Sequence, residues 1–136
     1  MTRTIIAALL LALPASAPAV AAPAPAAPNL DLQVRCAALF ALVAGEQDRK
    51  VPGADRFPPL NERGKAFFVA TGVRLIDERG LTREAIAPLF RQEIGALQTE
   101  FAAAPDPAAH ADAQMALCLP LLPPHSPTVL PPPRKG

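Results

Sequence analysis

The stretch "QMALCLPLLPP", residues 114–124, closes the last hydrophobic segment of the chain and carries Cys118. The only other cysteine, Cys36, stands far upstream in "VRCAALF", residues 34–40. Each lies on an apolar stripe with helical spacing. Around Cys118 the stripe is Ala111, Met115, Cys118 and Leu122; around Cys36 it is Leu32, Cys36, Leu39 and Val43, widened by Phe40. Two cysteines on the inward faces of the first and last helical segments predict a disulfide, provided the chain folds in an oxidising compartment. Closing a loop of this length stabilises by about 4 kcal/mol in the chain-entropy description. That is a large share of the stability of a domain of under about a hundred residues.

The N-terminus supplies the compartment. One cation, Arg3, precedes the apolar run "IIAALLLAL" at 5–13, which has the length of a signal-peptide core and is too short to span a bilayer. Small residues follow, with prolines at 14 and 18 that break a helix early. Cleavage after Ala19-Val20-Ala21 would leave Ala22 as the first mature residue. The expectation is a signal peptide over 1–21 and a mature protein in the periplasm or outside the cell, with no membrane span after cleavage.

Proline-rich segments bracket the middle of the chain. "APAPAAPN", residues 22–29, reads as an Ala/Pro linker, and residues 123–136 as a disordered tail ending in Arg134-Lys135. Between them, residues 30–122 read as four helices and no strand, hence an all-α, four-helix bundle-like domain. The first helix spans about 30–49, capped by Asn29 or Asp31. A turn-forming loop follows at 51–61. The second starts near Pro59 or Leu60 and ends at Gly80, a residue suited to a left-handed cap. Its adjacent Phe67 and Phe68 point about 100° apart, which implies contact with more than one neighbour. Gly64 and Gly72 suggest close helix approach. The third helix starts at Thr82, with Glu84 in its first turn, a Leu81–Ile86 staple and the stripe Ile86, Phe90, Ile94, Leu97, Phe101. Pro88 should bend its first turns. The fourth has Asp106 as cap and Pro107 in its first position, and ends at Pro120. Short connections make helices two to four antiparallel neighbours and leave the place of the first helix open.

Few residues point to catalysis. Ser16 and Ser126 fall in the signal and the tail, and neither a nucleophile elbow nor a phosphate-binding glycine loop is present. Cys-x-x-Cys is absent, which leaves a thiol redox role for Cys36 and Cys118 with little support. His110, Cys118 and His125 match no usual metal spacing, so no metal and no cofactor is expected, and His110 reads as a solvent-facing residue. Asp77 and Glu78, beside Arg74 and Arg79, read as surface ion pairs. Thirteen Lys and Arg face twelve Asp and Glu, and loss of Arg3 with the signal makes the two equal. This balance, together with the absence of Tyr and Trp, points away from nucleic acid, anionic membranes and sugars.

Three stretches, "RCAALFALVAGEQ" (35–47), "ERGKAFFVATGVRLIDERGLTRE" (62–84) and "LCLPLL" (117–122), resemble small exported helical proteins of Gram-negative bacteria. Such a family has no assigned function, so the resemblance implies export and helices but no catalytic residue. The expected function is that of a non-catalytic module binding a protein partner. The alternative is a binder of a small apolar ligand or lipid among Phe67, Phe68, Phe90 and Phe101.

Overall fold

Asn29 opens the first helix: its side-chain oxygen accepts a hydrogen bond from the backbone N–H of Asp31 at 2.9 Å, satisfying one of the donors a helix start leaves unpaired. The computed structural model describes residues 29–124. It contains α1 (Leu30–Asp48), α2 (Asn61–Arg79), α3 (Arg83–Ala103) and α4 (Pro107–Cys118), with 3-10 turns at Ala54–Arg56 and Leu119–Leu121. No strand occurs among the described residues, and the class is all-α. The predicted signal peptide, all of the linker but Asn29, and the tail beyond Pro124 lie outside the described residues, with Ser16, His125, Ser126, Arg134 and Lys135.

α1 is buried far more widely than a single stripe allows. Cys36, Ala37, Ala38, Leu39 and Phe40 are all closed to solvent, and five successive residues turn through more than a full circle of the helix. The reason is that α2, α3 and α4 all pack against it, which makes the first helix the centre of the domain. Of the predicted stripe, Cys36, Leu39, Phe40 and Val43 are buried and Leu32 is half-buried.

α2 runs antiparallel to α1, as the pairs Asp31–Arg79, Gln33–Arg74, Phe40–Phe67 and Asp48–Asn61 show. Gly64 permits the approach. A Cβ there would stand 3.2 Å from Phe40 Cβ and 3.4 Å from Leu60 Cβ, closer than such atoms normally pack. Gly72 differs from expectation, since a Cβ would meet only Ile86 Cγ2 at an ordinary 3.6 Å. α2 ends at Gly80 in the left-handed region (φ 65°), as its sequence predicts. α1 ends the same way but with Lys50 (φ 56°) in the place glycine usually takes: Lys50 N–H bonds Gln47 O, and Val51 N–H bonds Glu46 O.

The loop that follows is organised by one side chain. Gln47 Nε2 lies within 3.2 Å of the carbonyl oxygens of Ala54, Phe57 and Pro58, and its Oε1 accepts from Leu60 N–H. A segment with two adjacent prolines has few backbone donors of its own, and this amide supplies the missing partners.

Gly72 beside Ile86 and Phe68 beside Phe90 set α3 antiparallel to α2. Thr82 occupies the N-cap position of α3 with extended backbone, but its hydroxyl makes no capping bond. The first turn is held instead by Leu81 and Ile86 packed against the core. Of the predicted stripe, Phe90 and Leu97 are buried and Ile86, Ile94 and Phe101 half-buried; Pro88 faces solvent. In α4, Asp106 accepts from Ala109 N–H at 3.0 Å, Pro107 is the first residue, and Met115 and Cys118 point into the core with Leu122 just beyond. Pro123, assigned to the tail by sequence, is tied down: its carbonyl accepts from Arg63 Nη2 at 2.8 Å.

The two glycines separate packing from propensity. Gly72→Ala is expected to stabilise by about 0.5–1 kcal/mol, because it gains helix propensity at no steric cost. Gly64→Ala is expected to lose that gain against Phe40 and Leu60. Urea unfolding of both variants checks this, and equal stabilisation would contradict the close approach.

Candidate functional site

The two cysteines are joined, as predicted, across 82 residues of chain, linking α1 to the last residue of α4. Both are sealed in the core, with 0% and 1% of their surface exposed. Disulfide exchange requires a thiolate to reach a sulfur atom, and both cysteines belong to the buried apolar core. The bridge is placed as a staple.

Beside it lies a polar cluster that sequence spacing did not reveal. Arg35, the neighbour of Cys36, donates through Nη2 to both carboxylate oxygens of Glu100 (2.8 and 2.7 Å) and through Nε to Gln114 Oε1 at 3.1 Å. Glu93 stands 3.6 Å from Nη1. His110 Nε2 is 2.6 Å from Glu100 Oε1, and its ring meets Phe101 edge-on. His110 therefore does not simply face solvent; it is half-buried and joins α4 to α3. The cluster ties three helices together at the disulfide, and Arg35 lies 58 to 79 residues from its partners Glu93, Glu100 and Gln114, too far for a local motif to signal it. The hydrogen bond from Arg35, and secondarily that from His110, holds the Glu100 carboxyl below the ordinary range for Glu.

The four phenylalanines of the predicted apolar face separate into different environments. Phe67 is buried and meets Phe40 of α1 edge-on; Phe68 is half-buried and lies 4.0 Å from Phe90 of α3, measured between ring centres. The pair thus reaches two neighbours, as the 100° divergence requires. Phe90 is buried, whereas Phe101 sits apart against His110. Arg74 pairs with Glu78 at i,i+4 and also reaches Gln33 of α1, so it braces α1 against α2 rather than lying only on a solvated face.

Apolar surface is left over on α2. Val69 and Val73 are 56% and 50% exposed, and Ala66 and Ala70 beside them are exposed as well. These four fall at i, i+3, i+4 and i+7, a second seam pointing away from the core. The sequence signal was available: "AFFVATGV", residues 66–73, contains no charge and is apolar on every side of the helix. Along its edge runs an open cleft of about 510 Å³ between α1 and α2, lined by Ala41, Ala44, Gly45, Gly64, Phe68 and Val69 among others. A second open cleft, of about 670 Å³, lies by the loop around Val51, Pro52, Phe57 and Pro59. Among the described residues no helix is long and apolar enough to cross a membrane, and no group of three or more His, Cys, Asp or Glu side chains is arranged to hold a metal ion.

Comparison with protein-family models, with curated proteins and with solved structures finds no match to this chain.

Glu100 gives a pH-dependent prediction. Its carboxyl is more acidic folded than unfolded, so its contribution is complete above the ordinary value of 4.5 and is lost as pH falls through the lower folded value. Glu100→Gln is expected to destabilise by up to about 1 kcal/mol at pH 7, the range of solvent-accessible ion pairs. The gap to the native chain should close below about pH 4.5. Unfolding curves across that range test it, and a gap independent of pH would contradict it.

Proposed function

We propose that this chain is an exported, non-catalytic helical module that binds a protein partner in the periplasm. The observation that carries the reading is the outward seam of α2 with the cleft along its edge. Single exposed apolar residues are ordinary on protein surfaces, but a contiguous apolar strip on a helix already anchored by its opposite face needs a separate reason. Export is supported by the signal-like N-terminus and by a buried disulfide, which forms in oxidising compartments.

A photo-crosslinking side chain at Val73, in the bacterium that makes the protein, tests the reading. Adducts with a protein are expected at position 73 and not at exposed Gln98 on α3, and Val69→Lys should remove them. Adducts of small mass only would support the apolar-ligand alternative, and absence of any adduct at 73 would end the interaction reading.

A further inference from the structure

We infer that the partner of this surface is an amphipathic helix of another protein, with basic residues at both ends of its apolar seam; the inference rests on the protein-binding reading above. The spacing Ala66, Val69, Ala70, Val73 is the one a helix presents to a second helix packed along it. Alanine and valine keep the surface low enough for a close approach of helix axes. The neighbouring cleft, with Ala41, Ala44 and Gly45 on one side and Phe68 on the other, offers a hole for one larger apolar side chain of the incoming helix.

Charge decides the class of partner. Glu62 and Asp77 lie four residues before Ala66 and four after Val73, on the same outward face, about 22 Å apart along the helix. Both are exposed, and neither forms an ion pair among the described residues. Asp48, at one end of the cleft, bonds only the neutral amide of Asn61. Two cations adjoin the cleft: Lys65 lines it, and Arg49 places Nη1 3.3 Å from where a Cβ on Gly45 would stand. The acids outnumber the bases by three to two, and both ends of the α2 seam, at Glu62 and Asp77, are acidic and call for cations. A second copy of this chain does not supply them. Antiparallel pairing of α2 with itself sets Glu62 against Asp77 at both ends, and parallel pairing sets each acid against its own copy. Like charges so placed oppose association. An anionic bilayer is disfavoured by the same acids.

The test uses the full-length mature protein, isotopically labelled, and a synthetic amphipathic helix of about 18 residues with leucines along one seam and arginines at both ends. A matched peptide with glutamates in place of the arginines, and vesicles of phosphatidylglycerol and phosphatidylethanolamine, form the other arms. The arginine peptide should shift the amide resonances of residues 62–77 and of the cleft. It should bind about tenfold or more tightly than the glutamate peptide, with the difference shrinking at high salt. Val69→Lys should weaken binding at least about tenfold, since it places a charge in the apolar seam, and Gln98→Lys should leave it unchanged. Equal binding of the two peptides, binding of neither, preferential binding of vesicles, or concentration-dependent dimerisation through α2 would overturn the inference. If protein adducts at Val73 persist while the arginine peptide fails, this class of partner is wrong and the protein-binding reading stands.

Discussion

A helix that is apolar on every side can exist in water only if something covers every side. α1 is such a helix over residues 36–40, and the domain is the set of elements that enclose it. α2 covers one flank in antiparallel register and α3 another, while α4 closes the remainder. α4 is the shortest of the four, with 12 residues, and brings little apolar surface of its own: Met115 and Cys118 are its only buried residues. Burial of that size is a weak hold on a separate helix. The covalent bond to Cys36 and the Arg35–Glu100–His110 cluster beside it hold α4 where its packing alone would do so poorly.

This division of labour shapes the surface. Because α1 takes the core-facing sides of three helices, the outer sides of those helices are free to be polar. α3 follows that rule, with Arg91, Gln92 and Gln98 exposed. α2 does not, since its middle third faces outward with alanine and valine. A helix anchored so firmly, by Gly64 against Phe40 and by Phe68 against Phe90, can present such a strip without shifting to bury it. The strip is apolar on the free side of α2 and has an acid, Glu62 or Asp77, beyond each end, which is the surface the proposed partner helix would meet.

The features legible in sequence were those written in short-range pattern. The four helices, the caps at Asn29 and Asp106, the stop at Gly80 and the disulfide all rest on spacings of a few residues or on residue types with one strong preference. The rest required three dimensions. Ala37 and Ala38 look neutral in sequence, so the central place of α1 was not evident until three helices were packed on it. The end of α1 near Arg49 was legible from the turn residues that follow it, but its left-handed cap was not, because Lys50 takes the position usually signalled by glycine. Gln47 and Arg35 are ordinary polar residues whose partners lie 7 to 79 positions away. The outward seam of α2 was hidden by the two phenylalanines between its members, which drew attention to the inner face.

The staple between α1 and α4 is the central claim, and intact mass with thiol alkylation tests it most directly. The protein is purified from the exported fraction and denatured, then alkylated with and without prior reduction. The account predicts a chain beginning at Ala22, with no label before reduction and two labels after it. Two labels on the unreduced, denatured chain would show free thiols at Cys36 and Cys118 and contradict the account.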